Sequence, residues 1–195
     1  VNEELTVATA AEMRAVGRRL AAVLRAGDVV LLSGPLGAGK TTLTQGIGEG
    51  LRVRGPVTSP TFVIARVHPP LAAVRAGGLP ALVHADAYRL GSAIELDDLD
   101  LDADTATSVT VVEWGEGLAE GLAEDRLEIA IAPCPAPIGV PQSGSHSGTQ
   151  SSAQSSAQAD GSDGGADSPR TVRISGIGKR WQDIQLPPAA LADRL

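Results

Sequence analysis

The sequence predicts an α/β fold: one domain over residues 1–195, with a largely parallel central sheet flanked by helices and a β-hairpin near its C-terminus. Three observations predict it. Short apolar runs alternate with segments of helical period. One of these runs empties into a glycine-rich turn and then a second helical segment. Two alternating segments, Arg126–Ala132 and Arg170–Ser175, bracket a stretch of low complexity.

Taken in order, Glu4–Ala8 reads as a short strand. Thr9 and Glu12 form a Thr-x-x-Glu capping box, which marks the start of a helix. Met13, Val16, Leu20, Val23 and Leu24 recur on one face of that helix, and Gly27 is expected to end it. Asp28-Val-Val-Leu-Leu32 is a continuous apolar run, the pattern of a strand buried on both faces. A helix follows from about Lys40 to Leu51, and further strands are expected at Phe62–Val67, Leu79–Val83 and Val109–Val112. Residues 133–169 contain 9 Ser, 6 Gly and 5 Pro and no Lys, Arg or aromatic residue. Such a stretch cannot bury enough apolar surface to offset its ordering entropy, so it reads as a disordered insertion in the hairpin loop. Loop-closure entropy grows slowly with length, so the hairpin tolerates it.

The charge balance narrows the partners. With 16 basic and 23 acidic residues the net charge is −7, which argues against free nucleic acid or an anionic membrane surface as the primary partner. Six of the acids, Glu95, Asp97, Asp98, Asp100, Asp102 and Asp104, fall in one ten-residue run, so a basic face elsewhere stays open. Phe62, Tyr88, Trp114 and Trp181 are the only aromatic residues, so the core must be aliphatic. The single cysteine, Cys134, excludes an internal disulfide and a cysteine-based zinc site. It fits a reducing compartment. With no apolar run near the ~20 residues of a membrane span and no leader-like start, the expected location is the cytoplasm.

The strongest chemical signal is Gly34-Pro-Leu-Gly-Ala-Gly39-Lys40-Thr41, which matches G-x-x-x-x-G-K-[ST]. Chance would produce roughly 0.004 such matches in a chain of this composition. Glycines let the backbone curl so that successive amides converge on phosphate oxygens. The start of the following helix adds its partial positive charge. The expected contacts with a bound nucleotide run through Leu36, Gly37, Ala38, Gly39, Lys40, Thr41 and Thr42. Lys40 is expected to reach the β and γ phosphates, and the Thr41 hydroxyl to hold Mg²⁺. The plainer reading is a glycine-rich turn with an exposed lysine.

Hydrolysis needs a carboxylate at a strand end as well. Asp86, in Leu82-Val-His-Ala-Asp-Ala-Tyr-Arg89, and Glu113, directly after Val109-Thr-Val-Val112, are the candidates, because strand C-termini face the ligand in an open α/β sheet. Each also reads plainly, Asp86 as a turn or cap residue and Glu113 as an exposed acid closing a strand. Thr58-Ser59-Pro60-Thr61-Phe62 contains a threonine ahead of a strand, similar to the switch threonine of small GTPases; a Ser-Pro turn is the alternative. His84 is either a structural hydrogen-bond partner or a catalyst. Phe62, Tyr88 and Trp114 sit beside these polar residues, in a shaped site or as ordinary packing.

The order Gly34–Thr41, Ser59-Pro-Thr-Phe62, His84-Ala-Asp-Ala-Tyr-Arg89, Glu113-Trp114 resembles the TsaE (YjeE) family, bacterial P-loop ATPases needed to make threonylcarbamoyladenosine in tRNA. The resemblance runs from about Leu5 to Trp181, apart from the insertion at 133–169. It implies a compact P-loop NTPase domain, with ATP and Mg²⁺ as cofactors and slow hydrolysis. It also implies TsaB and TsaD as protein partners, which transfer the threonylcarbamoyl group, so that tRNA is met indirectly. By the same resemblance, Thr41 and Glu113 would hold Mg²⁺ and Lys40 would grip the phosphates. Asp86 would act near the γ-phosphate as water-positioning group or base, and Thr61 would be the switch-like residue. Trp114, Thr9 and Arg170 would lie against the nucleotide. Two other functions fit the phosphate loop alone. A small-molecule kinase would need an arginine-bearing lid; Arg52 and Arg54 lie near one another, but no clear arginine-rich lid is seen. A nucleotide-dependent binding module would barely hydrolyse. A GTPase is disfavoured, because no Asn-Lys-x-Asp sequence occurs.

Overall fold

Alternation along each strand decides which side chains meet the helices. In a computed structural model, residues 1–60, 64–72, 78–89, 106–115, 117, 121, 123–134 and 168–188 are described. The chain runs β1 (Asn2–Val7), α1 (Ala10–Ala21), β2 (Val29–Ser33), α2 (Lys40–Gly50), β3 (Ala65–His68), β4 (Ala81–Asp86), β5 (Ser108–Glu113), β6 (Arg126–Pro133) and β7 (Arg170–Ile177). These strands form one sheet in the order β1-β7-β6-β2-β5-β4-β3. Its centre, β6-β2-β5-β4, is parallel. The flanking strands β3, β7 and β1 pair antiparallel with their neighbours. The mostly parallel α/β expectation holds, as does the hairpin, whose ladder runs from Arg126↔Ile177 to Pro133↔Arg170.

α1 and α2 cover the same face of the sheet. Met13, Val16 and Leu20 of α1 and Leu43 and Ile47 of α2 join Val30, Leu32, Val109, Val111, Leu127 and Ile129 in the main core. The opposite face carries a smaller cluster of Val29, Leu31, Val83, Ala85 and Val112. The two helices touch through glycine. A Cβ on Gly46 would stand 2.2 Å from the Arg14 carbonyl oxygen, and one on Gly17 would stand 2.3 Å from that of Leu43. Only hydrogen at these positions lets the backbones come so close.

The start of α1 follows the predicted capping box with one shift. The Thr9 hydroxyl accepts the Glu12 amide at 3.1 Å, while the Glu12 carboxylate accepts the amide of Ala8 at 2.7 Å. The end of α1 differs from expectation. The helix stops at Ala21, not at Gly27. The Asp28 carboxylate accepts the Arg25 amide at 2.8 Å, and the Gly27 amide donates to the Ser108 carbonyl at 2.8 Å. Gly27, at φ +92°, therefore serves the turn into β2, where the left-handed backbone favours glycine.

β4 begins later than the expected Leu79–Val83 and runs on to Asp86. Pro80 has no amide to give the ladder, and the register with β5 continues through Ala85↔Val112 and Asp86↔Glu113. β3 starts at Ala65; Thr61 and Phe62, expected at its start, lie outside the described residues. The acidic run 95–104 and residues 135–167 of the insertion lie outside them too. Among the described residues no helix is long and apolar enough to cross a membrane.

Candidate functional site

β2 ends at Ser33 and the chain curls through Gly34–Gly39 into α2. Gly34 takes φ +140°, and a Cβ there would stand 2.3 Å from the Ile131 carbonyl oxygen, so β6 fixes where the loop leaves the sheet. Gly39 takes φ +107° at the start of α2, where no side chain caps the helix. The Met13 methyl lies 3.2 Å from where a Gly39 Cβ would be, so α1 buttresses the loop from below. The helix N-terminus is thus left to the open side, the arrangement that receives anions.

Above it lies a cleft of about 390 Å³. Leu36, Gly37, Ala38, Gly39, Lys40, Thr41, Thr42, Asp86, Glu113, Trp114 and Arg170 all line it, so the structure brings most of the predicted site together. Thr9 is not on its wall. Its hydroxyl accepts the Glu12 amide at the start of α1, and Ala10 and Met13 face the cleft. Ser59 lines the cleft; Thr61 lies outside the described residues. Sequence reasoning read Met13 only as core, because its contact with Gly39 joins segments that no local pattern links. No signal in the sequence singled out Ala10, and Ser59 entered only within the Ser59-Pro-Thr-Phe62 segment, with no role of its own.

The strand register brings the two acids together. Asp86 and Glu113 are direct partners on neighbouring parallel strands, and both project toward the helix side. Both are buried, at 4 % and 3 % exposure. Like charges directly opposite one another are destabilising unless a cation stands near. Lys40 is that cation on this chain. Burial lowers its pKa from the usual 10.5, and the charges on Glu113 and Asp86 oppose the shift. Its Nζ donates to the carbonyls of Gly34 at 2.8 Å and Pro35 at 3.0 Å.

Nζ also sits 3.7 Å from the centre of the Trp114 ring. Trp114 has φ +60°, a left-handed backbone that costs a bulky residue roughly 1–2 kcal/mol. Its amide is held by the Leu32 carbonyl at 3.0 Å, which ties this bend to β2. Tyr88, largely exposed, leans on the same ring with centroids 5.4 Å apart.

One carboxylate oxygen gathers two partners. Glu113 Oε1 accepts the Thr41 hydroxyl at 2.9 Å and lies 2.8 Å from His84 Nε2. A hydroxyl and a carboxylate meeting beside a phosphate loop make the oxygen pair that suits Mg²⁺, which takes few protein ligands and keeps water and phosphate oxygens for the rest. The donor set therefore fits the ion.

A family model described as "Threonylcarbamoyl adenosine biosynthesis protein TsaE" matches residues 7–135. The chain is similar to the tRNA threonylcarbamoyladenosine biosynthesis protein TsaE of Streptomyces coelicolor, at 68 % identity over 106 residues, covering 54 % of this chain and 68 % of that protein. The protein of the same name from Mycobacterium bovis is 59 % identical over 110 residues, covering 53 % of this chain and 63 % of that one. The matched segment thus spans about two thirds of these relatives' own length. The crystal structure of Bacillus subtilis YdiB superposes with a TM-score of 0.58 at 26 % identity, over 93 % of this chain and 91 % of that one. With the family model covering most of the chain and the phosphate loop, both acids and Trp114 all inside the matched range, this chain belongs to the TsaE family.

Proposed function

We propose that the chain is a Mg²⁺-dependent ATPase of slow turnover that acts in the cytoplasm as an accessory factor in forming threonylcarbamoyladenosine in tRNA. Its working partner is a complex of TsaB and TsaD, and it meets tRNA through them. The observation that carries the reading is the 2.9 Å contact between the Thr41 hydroxyl and the Glu113 carboxylate, at the mouth of a glycine loop that ends in Lys40. The names of the Streptomyces and Mycobacterium relatives support the tRNA pathway. The net charge of −7 favours contact with tRNA through partners over direct binding.

The roles follow from the geometry. Amides at the start of α2 bind phosphate oxygens. Lys40 exchanges two neutral carbonyls, Gly34 and Pro35, for an anionic phosphate. Thr41 and Glu113 hold Mg²⁺, which when bound neutralises charge on the β and γ phosphate oxygens. Asp86 Oδ1 is steadied by the Tyr88 amide at 3.0 Å, which sets this carboxylate to orient the attacking water. Trp114 and Arg170 wall the cleft and limit access of other water.

The two acids should separate in experiment. Glu113→Ala is expected to weaken Mg²⁺-dependent nucleotide binding by on the order of 10–100-fold. Asp86→Ala is expected to leave binding nearly intact and slow hydrolysis by on the order of 10²-fold. Equilibrium titration with a non-hydrolysable ATP analogue, beside phosphate release, reads both. Small, equal effects would count against distinct roles. The function as a whole is tested by reconstitution: TsaB and TsaD should modify tRNA over many turnovers only when this protein and ATP are supplied. Undiminished multiple-turnover modification without it would refute the reading.

A further inference from the structure

His84 lies outside every role above, yet it is fully buried and aimed at the key carboxylate. On β4 it stands opposite Val111, while Glu113 is two residues farther along β5. The contact is therefore diagonal across two parallel strands, a span that a long or ring-bearing side chain can bridge. Nε2 meets Glu113 Oε1 at 2.8 Å, and His84 is 0 % exposed. A carboxylate only accepts, so the ring proton belongs on Nε2. The other nitrogen, Nδ1, is buried and has no hydrogen-bond partner among the described residues. An unmatched buried nitrogen is destabilising. An aliphatic side chain would fill the same space without that cost. The ring's placement is therefore explained by its one bond to Glu113 and not by core packing.

Resting on the Mg²⁺-dependent reading of the site, we infer that His84 is the positioning residue that fixes the Glu113 carboxylate for the divalent cation. By holding Oε1 from below, it stops the carboxylate from rotating away from Thr41 and turns the second oxygen toward the cleft. Partners that orient a ligating carboxylate commonly control metal affinity by 10–100-fold. His84 does not touch the nucleotide's phosphates in this scheme, because the loop amides and Lys40 grip those.

The test uses the full chain and three substitutions. Gln carries an amide nitrogen where His has Nε2. Asn carries one where His has Nδ1, too short to reach Glu113. Leu carries none. Binding of a fluorescent, non-hydrolysable ATP analogue is titrated against Mg²⁺, and separately in excess chelator. His84→Asn and His84→Leu are expected to raise the Mg²⁺ concentration at half-saturation by about tenfold or more, with metal-free affinity within about twofold of the parent. His84→Gln is expected to stay within about threefold of the parent at both. Should the Leu variant fail to fold, the contrast between Asn and Gln decides. The inference is overturned if Gln and Asn behave alike, or if metal-free affinity falls as far as metal-loaded affinity. A parent protein whose nucleotide binding ignores Mg²⁺ would overturn the reading of the site itself, and this inference with it. A parent that responds to Mg²⁺ beside Asn and Leu variants that keep the parent's Mg²⁺ half-saturation overturns the inference alone.

Discussion

Lys40→Ala is expected to reduce ATP turnover by on the order of 10²–10³-fold while the fold stands, the scale seen when one preorganised charge is removed from a transition-state site. The side chain is buried at 5 % exposure, and burial already disfavours its charge. The charges of Glu113 and Asp86, two acids in direct register, oppose that effect. Without Lys40, an incoming triphosphate meets the Asp86 and Glu113 carboxylates with Arg170 as the remaining cation among the described lining residues. The hydrogen bonds lost are those to Gly34 and Pro35, in the loop and not in the core. Gly34 is half-buried and Pro35 exposed, so their carbonyls can be rewetted, and the melting temperature should move by no more than about 3 °C. Lys40→Arg should not rescue turnover. The planar guanidinium cannot take the place of a compact ammonium that sits 3.7 Å above the centre of the Trp114 ring and bonds two carbonyls at once. Phosphate release and a thermal melt on the same samples check both halves. Parental turnover in the Ala variant would sink the assignment of the loop.

The second large effect lies away from the chemistry. Gly46→Ala should destabilise the protein by about 3 kcal/mol, the upper part of the usual range for overpacking. Propensity alone pushes the other way, since Ala is better than Gly inside a helix by up to about 1 kcal/mol. The geometry decides the sign. The new Cβ would stand 2.2 Å from the Arg14 carbonyl oxygen and 2.7 Å from its Cα, and neither backbone atom can swing aside. The helices must part, and the reciprocal contact of Gly17 with the Leu43 carbonyl is lost with them. For a chain of this length the melting temperature should drop by roughly 6–12 °C. Nucleotide affinity should weaken as well, because α1 carries Met13 beneath Gly39. A melt unchanged or raised in the variant would show that the two helices can part at no cost.

How much of this was readable beforehand follows from where each contact sits along the chain. The phosphate loop was legible because its chemistry is contiguous: glycines, lysine and threonine act within eight positions. Asp86 and Glu113 were legible because each ends an apolar run, and strand ends in such sheets face one place. That they are direct partners was not, since register between parallel strands is written in no local pattern. The same gap left His84 undecided between structure and catalysis, 29 positions from the oxygen it meets. Gly27 misled for a physical reason. Glycine ends helices and also supplies left-handed turns, and here Asp28 and Ser108 recruit it for the turn. Thr9 was correctly read as a cap, while the cleft wall next to it is built by Ala10 and Met13.

The cleft's walls come from Ala10 and Met13 near one terminus, Arg170 near the other, and loop and strand tips between them. A nucleotide bound there would therefore act as a clasp between these segments. By linkage, ligand at a hundred times its dissociation constant adds about 2.7 kcal/mol to the free energy of unfolding. That increment is shared by segments that no short stretch of chain joins, so occupancy of the cleft and integrity of the domain rise and fall as one quantity.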